Sequence, residues 1–170
     1  MRSSIIAALL LLTTCEDARQ PSAPGIPDAH DRMEENLRAM RMEERDIGNY
    51  IERHALALKK SGTGVRWALV RDVPGDTVRP EDLVRVNYRV ELIDGSEAYA
   101  SEPGKPEAFR VEHDDVESGL HEAIQHLGPG DSAIIVIPSY RAHGLVGDQQ
   151  RIPMRSTVIY RIGLVNFERK

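Results

Sequence analysis

Residues 84–92 alternate between apolar and polar side chains, and this alternation constrains the fold more than any other feature of the sequence. The apolar positions are Val84, Val86, Tyr88, Val90 and Leu92. Successive side chains of a β-strand point to opposite faces, so a period of two predicts a long strand with one buried face. The chain therefore contains at least one half-buried strand.

Other segments complete the predicted architecture. Three of them have the composition and length of strands, and they span residues 65–69, 132–137 and 157–167. One short helix is predicted near residues 116–127, where Gly128-Pro129-Gly130 ends it. One short helix against several mostly antiparallel strands predicts an α+β domain.

Residues 28–61 have helical spacing instead. Asp28 is a candidate N-cap, and Gly48 weakens the middle, so one bent helix or two shorter helices both fit. The apolar positions of this segment are Met33, Leu37, Met40, Ile47, Tyr50, Ile51 and Leu58. Their stripe needs a partner, which is either the domain that follows or a second copy of the chain in a homodimer through residues 28–60.

The N-terminus predicts export. An apolar run at residues 5–12 follows Met1-Arg2 and is too short for a transmembrane helix, which needs about 20 residues. It is typical of a signal peptide, here residues 1–14. The only cysteine, Cys15, follows at once, as in the bacterial lipobox, although Thr14 departs from the small residue favoured before that cysteine.

We therefore expect a lipid on Cys15, a polar tether at residues 15–27 and attachment to a bacterial membrane facing the periplasm or the cell surface. A plain secretory signal with an incidental cysteine is the alternative.

Charge and motifs exclude several classes of function. A net charge of −5 without a long Lys/Arg run argues against nucleic-acid binding. His121 and His126 are five residues apart, about 140° around a helix, so they do not form the metal-binding pair of a zinc-protease helix. The sequence contains neither a phosphate-binding Gly-rich loop nor a nucleophile elbow. We therefore expect no metal and no cofactor.

The order of motifs from about residue 80 to residue 168 resembles that of the FKBP-type peptidyl-prolyl isomerase domain. The series is Val86-Asn87-Tyr88, LIDGSEAYAS, Phe109, DVESGLHEAIQHLGPGD, the aliphatic strand, the loop at residues 138–153 and STVIYRIGLVNF. The preceding helical segment, Gly147-Asp148 and the lipobox bring the chain closer to the FKBP-type lipoproteins associated with bacterial gliding motility.

The resemblance implies a twisted five-stranded antiparallel sheet wrapped around one short helix. The isomerase domain would span residues 81–168, and residues 62–80 would supply a leading strand and its connection. A pocket for a proline ring would lie between the helix and the sheet.

The site residues implied by the resemblance fall into two groups. Those matched to the catalytic wall are Tyr88, Tyr99, His143 and Tyr160. Those matched to substrate contacts are Phe109, Val116, Glu117, Leu120 and Ile152. Four positions depart from the family pattern: Ala100 replaces an Asp, Glu117 an aliphatic residue, Leu120 a Trp and His143 a loop Tyr.

The implied activity is rotation of X–Pro bonds in exported polypeptides, which would be the partners of the protein. Amide resonance creates a barrier of about 18–20 kcal/mol. An apolar pocket that binds the twisted, less polar amide better than the planar amide lowers this barrier without a nucleophile. The alternative is a non-catalytic proline-binding or assembly module with a drifted pocket.

Overall fold

The computed structural model describes residues 28–170 of the 170-residue chain. The predicted signal peptide, the tether and Cys15 lie outside the described residues. Within residues 28–170, no helix combines the length and the apolar character that a membrane span requires.

Among the described residues, the chain forms two α-helices and seven strands. The helices are α1 (Ala29–Arg53) and α2 (Ser118–Ile124). The strands are β1 (Lys59–Lys60), β2 (Arg66–Arg71), β3 (Leu83–Leu92), β4 (Glu97–Ala100), β5 (Glu107–Arg110), β6 (Ser132–Ile137) and β7 (Val158–Glu168). All pairings are antiparallel, in the order β1-β2-β6-β7-β3-β4, with β5 also paired to β3.

The α+β architecture is confirmed, but the strand count is seven where the resemblance implied five. Strands β4 and β5 share one edge of β3: β5 pairs with its beginning and β4 with its end. The two-residue β1 extends the opposite edge of the sheet. Strand β2, which we predicted as a leading strand, pairs with β6 inside the same sheet.

The main core lies between α2 and one face of the sheet. Leu120 and Ile124 of α2 pack there with Ile135 and Ile137 of β6. Gly119 makes this close packing feasible, because a Cβ at this position would collide with the Ile137 side chain. The predicted alternation of β3 is confirmed, since its apolar residues reach this core.

Helix α1 packs on the other face of the sheet. Asp28 caps it by accepting a 2.8 Å hydrogen bond from the Asp31 backbone N–H. Ile47 and Tyr50 are buried in a second apolar cluster that contains Val136 of β6 and Ile159 of β7. These strand residues point away from α2, because they are the immediate neighbours of residues in the main core.

The N-terminal segment differs in two respects from a helix that packs on the domain along its whole predicted length. Only the second half of the stripe is buried, since Met33, Leu37 and Met40 are exposed. The helix is a single element that ends at Arg53, before the predicted boundary at residue 61. The chain reverses there through Ala55, whose φ is 49°, and then forms β1. The predicted homodimer through residues 28–60 stays a prediction.

A carboxylate in the middle of α1 fixes the helix to the loop after β6. Glu43 accepts hydrogen bonds from the backbone N–H and the hydroxyl of Ser139, at 2.6 and 2.9 Å, and from the Thr157 hydroxyl at 2.6 Å. This loop continues to His143, so α1 helps to hold one of the predicted site residues.

Candidate functional site

A pocket of about 110 Å³ opens between the start of α2 and strands β3, β5 and β7. Six of the predicted site residues line it: Tyr88, Phe109, Val116, Glu117, Leu120 and Tyr160. The remaining lining residues are Val86, Glu107, Ala108 and Ile162.

Strand register brings the two tyrosines of the pocket together. Tyr88 of β3 lies opposite Ile162 of β7, and Val90 lies opposite Tyr160. Tyr88 and Tyr160 are therefore diagonal neighbours on one face of the sheet. Their ring centroids are 6.0 Å apart with the planes tilted by 46°, and the rings form an aromatic wall.

Glu117 directs its carboxylate into this apolar pocket. The Tyr160 hydroxyl donates a 2.8 Å hydrogen bond to Glu117 Oε1, and His143 Nε2 lies 2.9 Å from the same oxygen. The Glu117 side chain is only 10% exposed. His143 does not line the pocket itself but contacts it through Glu117.

Glu117 is also the N-cap residue of α2, with extended backbone angles and no side-chain capping bond. In the described part of the chain, its backbone N–H donates no hydrogen bond. This N–H and the carboxylate belong to one residue at the pocket wall, so a ligand that reaches the N–H also meets the side chain.

Both tyrosine hydroxyls are donors at neutral pH. Burial, together with the neighbouring Glu117 carboxylate, raises the pKa of Tyr160 well above its ordinary value. Burial and the hydrogen bond to Glu107 raise the pKa of Tyr88 to about 12. The Tyr88 hydroxyl donates to Glu107 Oε2 over 3.0 Å.

Glu107 is a pocket residue that the sequence analysis missed. It lies two residues before Phe109 on β5, and side chains two apart on a strand share a face. That spacing is the signal that would have found it. Ala100 supplies no carboxylate where the family pattern has Asp, and the carboxylates of this pocket come instead from β5 and the start of α2.

Tyr99 and Ile152 lie outside the lining of this pocket. The Tyr99 hydroxyl donates to the Asp148 carboxylate, and the Arg151 guanidinium lies 5.2 Å from the centre of the Tyr99 ring. Ile152 is buried in the main core. Of the three tyrosines that the resemblance matched to the catalytic wall, Tyr88 and Tyr160 therefore line this pocket, whereas Tyr99 bonds to the loop beside it.

Asp148 organises that loop. Its Oδ1 accepts hydrogen bonds from the backbone N–H groups of Gln150, Arg151 and Ile152 at 2.9, 3.0 and 2.8 Å. Burial alone would raise the pKa of Asp148, but the hydrogen bonds from Tyr99 and from these three N–H groups hold it well below its usual range. Residues 148–152 of the loop are thus fixed by an internal polar centre.

Residues 75–165 match the family model described as FKBP-type peptidyl-prolyl cis-trans isomerase. The FKBP-type peptidyl-prolyl cis-trans isomerase FkpA of Escherichia coli K12 is 34% identical over 110 residues, which are 64% of this chain and 40% of that protein. Peptidyl-prolyl cis-trans isomerase FKBP2 of Mus musculus is 28% identical over 93 residues, which are 54% of this chain and 66% of that protein.

Two crystal structures extend the comparison. FkpA from Escherichia coli superposes with a TM-score of 0.64 and 28% identity, covering 83% of this chain and 68% of that chain. A peptidyl-prolyl cis-trans isomerase from Pseudomonas syringae superposes with a TM-score of 0.68 at 24% identity, covering 78% of this chain and 96% of that chain, and it shows the fold alone. The chain aligns with less than half the length of the FkpA relatives it matches.

Proposed function

The chain belongs to the FKBP-type peptidyl-prolyl cis-trans isomerase family, and from this premise we propose that it rotates X–Pro bonds of polypeptide clients. The observation that carries the proposal is the pocket itself. Tyr88, Phe109, Leu120 and Tyr160 provide rings and aliphatic groups around a volume of about 110 Å³ at the start of α2. An enclosure of this chemistry suits a proline ring.

The proposed mechanism needs no covalent step. The proline ring enters the apolar wall, and the amide loses its charge separation as it twists. A site of low polarity binds this twisted form more tightly than the planar form, and each factor of ten in rate requires about 1.4 kcal/mol of that preference. The free Glu117 backbone N–H would bind a substrate carbonyl, and His143, whose Nε2 contacts Glu117 Oε1, would hold this residue in place at the pocket edge.

The proposal also includes export of the protein and its attachment to a membrane through a lipid on Cys15. We further assign the chain to the FKBP-type lipoproteins associated with gliding motility. Both rest on residues 1–15 and on the sequence resemblance. Fatty-acid labelling of the wild type and of Cys15→Ser tests the attachment, because only the wild type should carry the label.

The alternative, a proline-binding module without catalysis, is favoured by one observation. The Glu117 carboxylate and His143 place polar groups where the family pattern has an aliphatic residue and a Tyr. Polar groups beside the amide would stabilise its planar, charge-separated form and so reduce the preference for the twisted form.

Refolding of a test protein limited by X–Pro isomerisation distinguishes the two functions. The full chain, purified in detergent, should accelerate the slow phase in proportion to its concentration. Binding of a proline peptide without any acceleration would instead establish the non-catalytic module. Tyr160→Ala should lose both the acceleration of refolding and the binding of the proline peptide. Glu52→Gln, on the exposed surface of α1, should retain them.

A further inference from the structure

Glu117 has acceptor capacity that the folded chain does not use. The hydrogen bond from Tyr160 and the contact with His143 both end on Oε1. Within residues 28–170, Oε2 has no hydrogen-bond partner, and it retains access to solvent. A carboxylate offers about four lone-pair sites on its two oxygens. One oxygen of Glu117 is therefore held rigidly by its partners while the other can accept from a ligand.

Glu107 repeats this arrangement on a second wall of the same pocket. Its Oε2 accepts the hydrogen bond from Tyr88, and its Oε1 has no partner in the described part of the chain. Glu107 comes from β5, whereas Glu117 precedes α2, and both line the pocket. Each carboxylate is thus oriented by a tyrosine of the aromatic wall and has one oxygen free.

The charge environment of Glu107 and Glu117 differs from that of two other glutamates of the domain. Those two are partly buried and have arginine partners: Glu91 pairs with Arg161 at 3.1 Å and Glu122 with Arg141 at 3.1 Å. No Lys or Arg of residues 28–170 forms an ion pair with Glu107 or Glu117. His143 is the one described basic side chain that contacts either of them.

We propose that Glu107 and Glu117 select proline-containing clients with a Lys or Arg directly beside the proline. The inference rests on the proposed function of the pocket and adds a substrate class to it. A proline ring held against the wall formed by Tyr88 and Tyr160 places its neighbouring residues beside the two carboxylates, since both carboxylates also lie on the pocket wall. Ammonium and guanidinium groups donate charge-assisted hydrogen bonds to free carboxylate oxygens, and these are about twice as strong as neutral ones.

The proposal distinguishes this pocket from a purely apolar one. A pocket of rings and aliphatic groups would discriminate little between a lysine and a glutamine beside the proline. In this pocket, a lysine and a glutamine beside the proline differ in their charge interaction with the two carboxylates. Because Glu117 is partly buried, salt screens its charge interactions less than those of a surface group. The preference should therefore be measurable in ordinary buffer and should decrease as the salt concentration rises.

The test uses the full chain in detergent and two pairs of peptides, Ala-Lys-Pro-Phe with Ala-Gln-Pro-Phe, and Ala-Leu-Pro-Lys with Ala-Leu-Pro-Gln. Exchange NMR measures the isomerisation rate of each without a protease. We expect kcat/KM for the lysine peptide of at least one pair to be about five-fold higher, which corresponds to about 1 kcal/mol at 1.4 kcal/mol per factor of ten. In 1 M salt, where the Debye length is about 3 Å, the ratio should be smaller than in ordinary buffer.

Matched variants assign the preference to the two carboxylates. Glu107→Gln and Glu117→Gln should each lower the lysine-to-glutamine ratio. Glu52→Gln makes the same charge change on the exposed surface of α1 and should leave the ratio at the wild-type value. A wild-type ratio of one, or a ratio that neither pocket variant changes, would overturn the proposal. Should Glu117→Gln fail to fold, the exposed Glu107→Gln decides alone.

The result also separates this inference from the function on which it rests. Absence of isomerisation for all four peptides would refute the proposed activity. In that case, NMR titration gives the Kd of each peptide, and the ratio of Kd values within each lysine–glutamine pair tests the preference for a basic residue. Tighter binding of a lysine peptide, lost in Glu107→Gln, would support a basic-proline binding module, and equal or undetectable binding would overturn it.

Discussion

The Tyr160 hydroxyl donates a 2.8 Å hydrogen bond to Glu117 and so joins β7 to the residue that precedes α2 across the pocket. The two residues are 43 positions apart in the chain. Tyr160 is buried, and the Glu117 carboxylate is nearly so. A carboxylate in such surroundings needs hydrogen bonds to offset its desolvation, and Tyr160 provides one of them.

Tyr160→Phe should therefore destabilise the protein. The substitution retains the ring but removes a donor from a largely buried carboxylate, and hydrogen bonds to charged groups contribute about 1.5–3 kcal/mol. Denaturant unfolding should report a loss of this size. Tyr88→Phe is the matched control, because its partner Glu107 is exposed and can exchange the lost bond for water. Equal losses in the two variants would show that the Glu117 bond has no special role.

His143→Leu should reduce kcat/KM several-fold. The variant removes the ring N–H that contacts Glu117 Oε1, so that among residues 28–170 Tyr160 is the only side-chain partner left to Glu117. His143→Tyr restores a donor of the family type and should keep most of the activity. Rates of X–Pro isomerisation for the three proteins check this, and a Leu variant as active as the wild type would make His143 a loop residue without a role in the reaction.

The two halves of α1 should respond differently to substitution. Ile47 is buried at 1% exposure between the helix and the sheet, so Ile47→Ala should cost about 2–5 kcal/mol. Leu37 is 44% exposed, and Leu37→Asp should change the stability by less than about 0.5 kcal/mol. Thermal melts compare the two. Since Leu37→Asp keeps the fold, a fall in its sedimenting mass relative to the wild type would report the predicted homodimer.

Asp148 should make part of the stability depend on acid pH. Its folded-state pKa lies below the ordinary value of 3.8, so the unfolded chain binds more protons in this range. The contribution is present above pH 3.8 and is lost as the pH falls through the folded-state pKa. Tyr99→Phe removes one cause of the shift. Its melting temperature should lie below that of the wild type at pH 6, and the gap should narrow below pH 3.8.

The double variant isolates this effect. In an Asp148→Asn background the carboxylate is absent, so Tyr99→Phe should change the melting temperature by the same amount at all pH values. A gap that narrows in acid in this background as well would assign the pH dependence to another group.

Local periodicity was sufficient to predict the two helices and the four longer strands, but not the short strands β1, β4 and β5. The alternation of β3 predicted a strand with Val84, Val86 and Val90 on its buried face, and these residues are in the core. The spacing around Leu120 predicted α2, and Asp28 predicted the start of α1. These features depend on backbone geometry over a few neighbouring residues, which the sequence displays directly.

The same reasoning did not predict which half of α1 is buried. The stripe has one helical spacing throughout, yet Ile47 is buried and Leu37 is exposed. The difference depends on where the sheet lies beneath the helix, and the contacts of Val136 and Ile159 with Ile47 decide that. Burial is a property of long-range packing, whereas periodicity is a property of the helix alone.

By itself, the sequence determined the order of the helices and the longer strands, the face of β3 that carries Tyr88 and the resemblance that pointed to the pocket. Only the tertiary structure placed Glu117 against Tyr160 and His143, brought Glu107 to the same wall and paired Tyr99 with Asp148 of the neighbouring loop. The reason is physical. The direction of a side chain along a strand follows from the backbone, but the partner of a carboxylate is set by residues far along the chain that packing brings within hydrogen-bond distance.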